Sequence, residues 1–245
     1  MTVSDLAKMI DHSLLHPTMT EKDLTEGCLL AARYQVASVC IKPYAVPLAC
    51  RLLAGSGVAV GTVIGFPHGG NTTGIKVAEA LEACALGATE IDMVVNIGQV
   101  LGGEWSAVQR EIEAVHVVSV SRGALVKVIF ENDFLSLAAI TKLTELCNGV
   151  GVAFVKTSTG YGFVKQPDGQ YNYKGATVEH LKLMRQVALP AVQVKAAGGV
   201  RTLKDLVTVR SLGVTRVGAT ATAVMLDEAK KLLAEGVDLN SLISG

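Results

Sequence analysis

Eight short runs of apolar and β-branched residues recur along the chain, at residues 9–13, 37–41, 59–64, 90–95, 125–130, 153–157, 191–196 and 216–219. Each has the length and composition of a strand buried on both faces. The segments between them carry apolar residues at helical spacing instead. Leu24, Cys28, Leu29, Ala31 and Ala32 mark one stripe, Val77, Leu81 and Cys84 a second, and Leu203, Leu206, Val207 and Leu212 a third. Stripes of this period predict helices with one face on a core. Helix starts are signalled by Thr20 with Asp23, by Ser136, and by Thr202 with Asp205, where a short side chain can accept from first-turn amides.

Strand and helix in alternation predict a parallel sheet covered by helices. Eight such units in 245 residues fit a closed (β/α)8 TIM barrel of the α/β class better than an open sheet. No Pro- or Gly-rich linker divides the chain, so residues 1–245 read as one barrel domain.

Composition supports a large core, because 50% of residues are hydrophobic and only 18% charged, which argues against disorder. The formal net charge is +0 with both signs interspersed, so neither nucleic acid nor a membrane surface is the expected partner. Met1-Thr2-Val3-Ser4-Asp5 lacks the basic and apolar segments of a signal peptide. No apolar run reaches the roughly 18 residues of a membrane span. A cytoplasmic protein is expected. Five cysteines without a C-x-x-C pair indicate neither a disulfide framework nor a cysteine-based zinc site. His12, His68, His116 and His180 are scattered without ligand spacing, so no metal site is expected.

Two lysines change the picture. Lys156 is the only charge in Ala153-Phe154-Val155-Lys156-Thr157-Ser158-Thr159-Gly160, and Lys195 the only one in Val192-Gln193-Val194-Lys195-Ala196-Ala197-Gly198-Gly199. A half-buried strand disfavours an ammonium, and a second ammonium nearby disfavours it further. A neutral amine can attack a carbonyl and form a Schiff base. Catalytic groups of these barrels stand at the C-terminal ends of strands. Consecutive parallel strands lie about 4.8 Å apart, close enough to bring the two amines together.

The same rim collects Asp11, Cys40, Lys42, Asp92, Lys127 and Glu131. Singly, each has a plainer reading. Asp92 could be a structural hydrogen-bonder, and Lys127 could snorkel to solvent or pair with Glu131. Gly198-Gly199-Val200-Arg201 leads into a helix near Thr202, and Gly218 is expected after the last strand, just before another helix. Helix N-termini bind anions, and the loops after the last two barrel strands are the usual phosphate site. A phosphorylated substrate is expected.

At these residues the chain resembles the deoxyribose-phosphate aldolases, a family of class I (Schiff-base) aldolases with a (β/α)8 fold. The resemblance runs from Ile10-Asp11-His12-Ser13-Leu14-Leu15 through Ser38-Val39-Cys40-Ile41, Glu90-Ile91-Asp92-Met93-Val94 and Phe154-Val155-Lys156-Thr157-Ser158-Thr159-Gly160 to Lys195-Ala196-Ala197-Gly198-Gly199-Val200-Arg201. It implies reversible cleavage of 2-deoxy-D-ribose 5-phosphate to acetaldehyde and D-glyceraldehyde 3-phosphate, in deoxyribonucleoside breakdown, without metal or organic cofactor. It implies Lys156 as the imine lysine and Lys195 as the neighbour that lowers its pKa and joins the proton relay. Asp92 would be the acid/base acting through a water, and Asp11 the aspartate contacting the second lysine. Cys40 would line the pocket, with Lys127, Thr157, Gly160, Gly198, Gly199, Arg201, Gly218 and Thr220 completing the substrate-binding set. The residues by themselves leave open which lysine forms the imine; the resemblance supplies that.

The chain departs from the family pattern at three places. Gly218-Ala219-Thr220-Ala221 stands where Gly-x-Ser-Ser is common, Tyr161 where some members have lysine, and no tyrosine occurs in the tail at residues 240–245. The first two shift phosphate binding toward backbone amides. A homo-oligomer, dimer or tetramer, is expected from the way helix faces of such barrels pack. Two rival readings are a Schiff-base aldolase or transaldolase for another phosphosugar, and a non-catalytic barrel that binds a phosphorylated metabolite.

Overall fold

The computed structural model describes residues 1–243. The last part of the tail, residues 244–245, lies outside the described residues. Strands β1 (Ile10–Leu14), β2 (Ser38–Ile41), β3 (Ala59–Ile64), β4 (Glu90–Val94), β5 (Leu125–Ile129) and β6 (Phe154–Lys156) are followed by β7 (Val164–Lys165) and β8 (Tyr171–Asn172), then β9 (Gln193–Ala197) and β10 (Arg216–Ala219). Eight of them close into a parallel barrel in the order β1-β10-β9-β6-β5-β4-β3-β2, while β7 and β8 pair only with each other. Each barrel strand overlaps its sequence-predicted run. The β7–β8 hairpin was not expected; it interrupts the connection from β6 to β9.

Helices α1 (Val3–Ala7), α2 (Glu21–Tyr34), α3 (Val46–Leu53), α4 (Thr73–Ala85), α5 (Ile97–Leu101), α6 (Trp105–Val120), α7 (Leu137–Val150), α8 (Val178–Val187), α9 (Leu203–Ser211) and α10 (Thr222–Ala234) accompany the strands. The expected caps form. Thr20 and Thr202 each accept from the third-position amide while Asp23 and Asp205 reach back, and Ser136 accepts from the amide of Ala139. At the other end of α7, Gly151 takes φ 79°, a left-handed stop that glycine adopts without a Cβ penalty.

Alternation along the strands splits the residues into two sets. Val126, Val128, Val155 and Val194 join the buried apolar layer between barrel and helices. Lys127, Lys156 and Lys195 point the opposite way, into the barrel. On the helices two expected stripe residues, Leu29 and Leu81, lie exposed. The buried face of α4 runs through Lys76, Ala80 and Ala83 instead, at the i, i+4, i+7 spacing of one helix face. Among the described residues no helix is long and apolar enough to cross a membrane.

Candidate active site

Parallel register decides which charges meet. Lys156 on β6 is the direct partner of Lys195 on β9, and Asp92 on β4 of Lys127 on β5. Lys156, Lys195, Lys127, Asp92 and Asp11 are all buried. Asp92 Oδ2 accepts from Lys156 Nζ at 2.8 Å and from Lys195 Nζ at 2.8 Å. Lys195 also donates to Asp11 Oδ2 at 2.5 Å. Deeper in the barrel, Lys127 Nζ lies 2.9 Å from Asp11, 2.5 Å from Glu90 and 3.0 Å from Asp92 Oδ1. Arg216, at the start of β10, meets Asp11 at 2.5 Å and Glu90 at 3.1 Å. Asp92 Oδ1 is held by the 3.0 Å ion pair to Lys127 without an aligned hydrogen bond.

Lys127, Lys156, Lys195 and Arg216 thus face Asp11, Glu90 and Asp92, four cations to three carboxylates. Buried charges need partners, so the surplus cation is the one under strain. Burial is the largest influence on Lys156 and lowers its pKa; Asp92 opposes this and Lys195 reinforces it. Burial also works against the charge of Lys195, but Asp11 and Asp92 outweigh it and raise that pKa. Lys127 is likewise desolvated, yet Asp11, Asp92 and Glu90 hold it well above its ordinary value. Burial disfavours the Asp92 carboxylate too, but Lys127, Lys156 and Lys195 overcome this and keep it ionised. Lys156 is therefore the amine that becomes neutral most readily.

A cavity of about 430 Å³ opens over this cluster. Among the expected site residues, Lys156, Lys195, Cys40, Gly160, Gly198, Gly199, Arg201, Gly218 and Thr220 line it. Asp11, Asp92, Lys127 and Thr157 do not; they stand behind the wall. Lys127 neither snorkels to solvent nor pairs with Glu131, because the barrel interior surrounds it with three carboxylates. The Thr157 hydroxyl donates to Ala197 O at 2.9 Å and accepts from Ala197 N at 3.0 Å, tying β6 to β9. Burial and the Asp92 charge push the Cys40 thiol up to about 11, so it contributes as an apolar wall beside Asp92, 4.0 Å away.

At the anion end the two helix starts differ. The amides of Arg201 and Thr202, before α9, already donate to Asp205 at 3.0 and 2.9 Å. The start of α10 has no side-chain cap at Ala221. His12 Nδ1 lies 2.8 Å from the Thr222 hydroxyl in the first turn of α10. Gly218, expected past the strand, sits inside β10. The opposite wall is aromatic. Tyr161 packs edge-on to Phe66 with ring centres 5.6 Å apart, and Phe163 to Tyr173 at 5.3 Å. Sequence reasoning passed over Glu90 and Arg216, whose only signal is their place at the first position of a strand, and Phe163 and Tyr173, which belong to the hairpin.

Known proteins resemble this chain in sequence and fold. The model of the DeoC/LacD family aldolases matches residues 6–220. The chain is 52% identical to the deoxyribose-phosphate aldolase of Rhodopirellula baltica over 94% of its own length and 91% of the relative's. To that of Caldanaerobacter subterraneus it is 44% identical, covering 94% of this chain and 96% of the relative. A tetrameric deoxyribose phosphate aldolase from Aeropyrum pernix superimposes with a TM-score of 0.83 at 30% identity, covering 94% of this chain and 93% of that one. The chain belongs to the DeoC/LacD family of aldolases, enzymes that make and break carbon–carbon bonds.

Proposed function

We propose that the chain cleaves 2-deoxy-D-ribose 5-phosphate reversibly to acetaldehyde and D-glyceraldehyde 3-phosphate, through a Schiff base on Lys156. One observation carries this reading. Lys156 is the surplus cation of the buried cluster, and it faces the cavity while its neighbour Lys195 keeps its charge.

In the cleavage direction the neutral Lys156 amine attacks the C1 aldehyde of the open-chain sugar, and loss of water leaves a protonated imine. As the C3 hydroxyl gives up its proton, the C2–C3 bond breaks and its electron pair enters the imine as an enamine. Glyceraldehyde 3-phosphate departs. Protonation of the enamine carbon and hydrolysis then release acetaldehyde and restore the amine. Asp92, through a water, carries these protons together with Lys195. Asp11 and Lys127 hold that pair in its charge state. Cys40 walls the donor side and Thr157 fixes the strands beneath. The phosphate is met by Gly160, the backbone of Gly198 and Gly199, the Arg201 side chain, and the stretch from Gly218 through Thr220 to the uncapped start of α10. The chemistry as proposed needs neither metal nor organic cofactor.

The same reading makes the protein a cytoplasmic enzyme of deoxyribose phosphate catabolism, built as one barrel domain over residues 1–245 and working as a dimer or tetramer. Tetramer formation by the Aeropyrum pernix relative supports the last point. Borohydride trapping with acetaldehyde, followed by peptide mass mapping, is the test. An ethyl adduct on Lys156 is expected. An adduct on Lys195 or Lys127 would reassign the nucleophile, and no adduct on folded protein would favour a barrel that only binds a phosphorylated metabolite.

A further inference from the structure

The turn after β5 reads Glu131-Asn132-Asp133, and both of its carboxylates reach the same distant segment, one at each end. Glu131 is 1% exposed and takes φ 59°, a left-handed conformation that a residue with a Cβ adopts only when its surroundings enforce it. Its carboxylate accepts from the Thr159 amide at 3.1 and 3.2 Å and from the Thr159 hydroxyl. That hydroxyl in turn accepts from the Tyr161 amide at 2.9 Å. The carboxylate is pressed so closely into the loop that a Cβ on Gly162 would stand 2.4 Å from Glu131 Cδ.

Asp133 holds the other end. Its two oxygens accept from the Lys174 amide at 2.6 Å and the Gly175 amide at 2.9 Å. Gly175, at φ 69°, lies so near the turn after β9 that a Cβ there would be 2.6 Å from Gly198 O, and the Ala176 amide donates to that same oxygen at 2.9 Å. Between the two anchor points runs the β7–β8 hairpin, which places Tyr161, Phe163 and Tyr173 on the cavity wall. A hairpin with two residues per strand has little stability of its own. Its order must come from where its ends are fastened.

We propose that Glu131 and Asp133 are positioning residues: a two-carboxylate clamp that fixes the loop from Thr159 to Gly175 and, through Gly175, the Gly198 turn. The clamp sets affinity for the phosphorylated acceptor half of the substrate and takes no part in imine formation. This rests on the aldol reaction proposed above. Neither carboxylate pairs with Lys156, Lys195 or Asp92, whose partners all lie within the barrel cluster.

The test compares Asp133→Asn, Glu131→Gln and Gly162→Ala with wild type, the last displacing Glu131 without altering any charge. KM for 2-deoxy-D-ribose 5-phosphate should rise about tenfold in each, the scale of one lost charge-assisted hydrogen bond. Borohydride trapping of acetaldehyde on Lys156 should keep its wild-type rate. Trypsin should cut the variants faster after Lys165 and Lys174, on the released hairpin. Unchanged KM in folded variants, or trapping that falls in step with turnover, would overturn the clamp. Absence of trapping in the wild type would defeat the aldol reading instead. The trypsin comparison would then still decide the clamp, because equal cutting rates would refute it.

Discussion

Two buried lysines in this barrel have the same electrostatic complaint and different fates. Lys76, on α4, is fully buried and donates to Glu111 at 2.7 Å and to the carbonyl of Val94 at 2.8 Å. Lys156 is 3% exposed and donates to Asp92 at 2.8 Å. In both, burial is the main cause of a lowered pKa. What separates them is the consequence of losing a proton. A neutral Lys76 would strand Glu111, which has no other cation in contact among the described residues. A neutral Lys156 leaves Asp92 still flanked by Lys127 and Lys195. Lys76 also borders no cavity of the site, whereas Lys156 does. A depressed lysine pKa is thus common to structural and reactive sites; a shared carboxylate and an open face distinguish the reactive one.

Removing the reactive amine gives the largest expected effect. Lys156→Ala should lower kcat by roughly 10⁴-fold or more, as loss of a covalent nucleophile does, with the folded state intact by circular dichroism. Wild-type turnover in this variant would erase the distinction between the two lysines. Asp92→Asn comes next, with a loss of about 10²–10⁴-fold from proton transfer. Acetaldehyde should still be trapped on Lys156 in that variant. If turnover is unchanged, Asp92 is not the proton carrier.

The structural lysine should fail differently. Lys76→Met strands Glu111 in the interior, and breaking a buried pair this way costs about 3–5 kcal/mol. Urea unfolding should show that loss while turnover per folded molecule holds. Adding Glu111→Gln should recover most of it, because the neutral amide carries no charge to bury and still accepts from the Asn96 amide, 3.2 Å away in the wild type. A drop in kcat without loss of stability would mean that Lys76 belongs to the chemistry after all.

The contrast between the two lysines also explains how much of the molecule the chain discloses before it folds. Lys156 and Lys195 stand out because each interrupts a β-rich apolar run, and parallel register then brings such residues side by side with no further information. The eight barrel strands are legible for the same reason: their signal is local. Lys76 is hidden because charges are ordinary on helices, and only the rotation of α4, which exposes Leu81, shows that position 76 faces inward. Glu90 and Arg216 look like strand-flanking surface charges until barrel closure brings β4 and β10 within reach of one arginine. The hairpin left a weak trace in Pro167-Asp168-Gly169, a turn signal between Val164 and Tyr171. What fastens it, Glu131 and Asp133, lies some thirty to forty residues upstream of the amides it holds, and no periodicity links them.

A third buried base sharpens the comparison, because it has no counter-charge at all. His12 is 5% exposed, meets only the Thr222 hydroxyl through Nδ1, and is pushed down to about 4 by burial alone. The unfolded value is about 6.5, so the folded state rejects a proton that the unfolded chain accepts. Stability from this group is complete above pH 6.5, declines as pH falls below that, and is lost through pH 4. The difference between 6.5 and about 4 corresponds to a loss of about 3 kcal/mol at 1.36 kcal/mol per pH step. His12→Gln keeps a polar partner for Thr222 and cannot titrate. Unfolding free energies of wild type and variant, measured at pH 7, 5.5 and 4, should therefore converge or cross as the pH falls, the wild type losing about 3 kcal/mol more. Parallel profiles would show that burial without a counter-charge is relieved at His12 by local opening. Lys156 would then owe its neutrality to the neighbouring charge of Lys195 more than to its depth in the barrel.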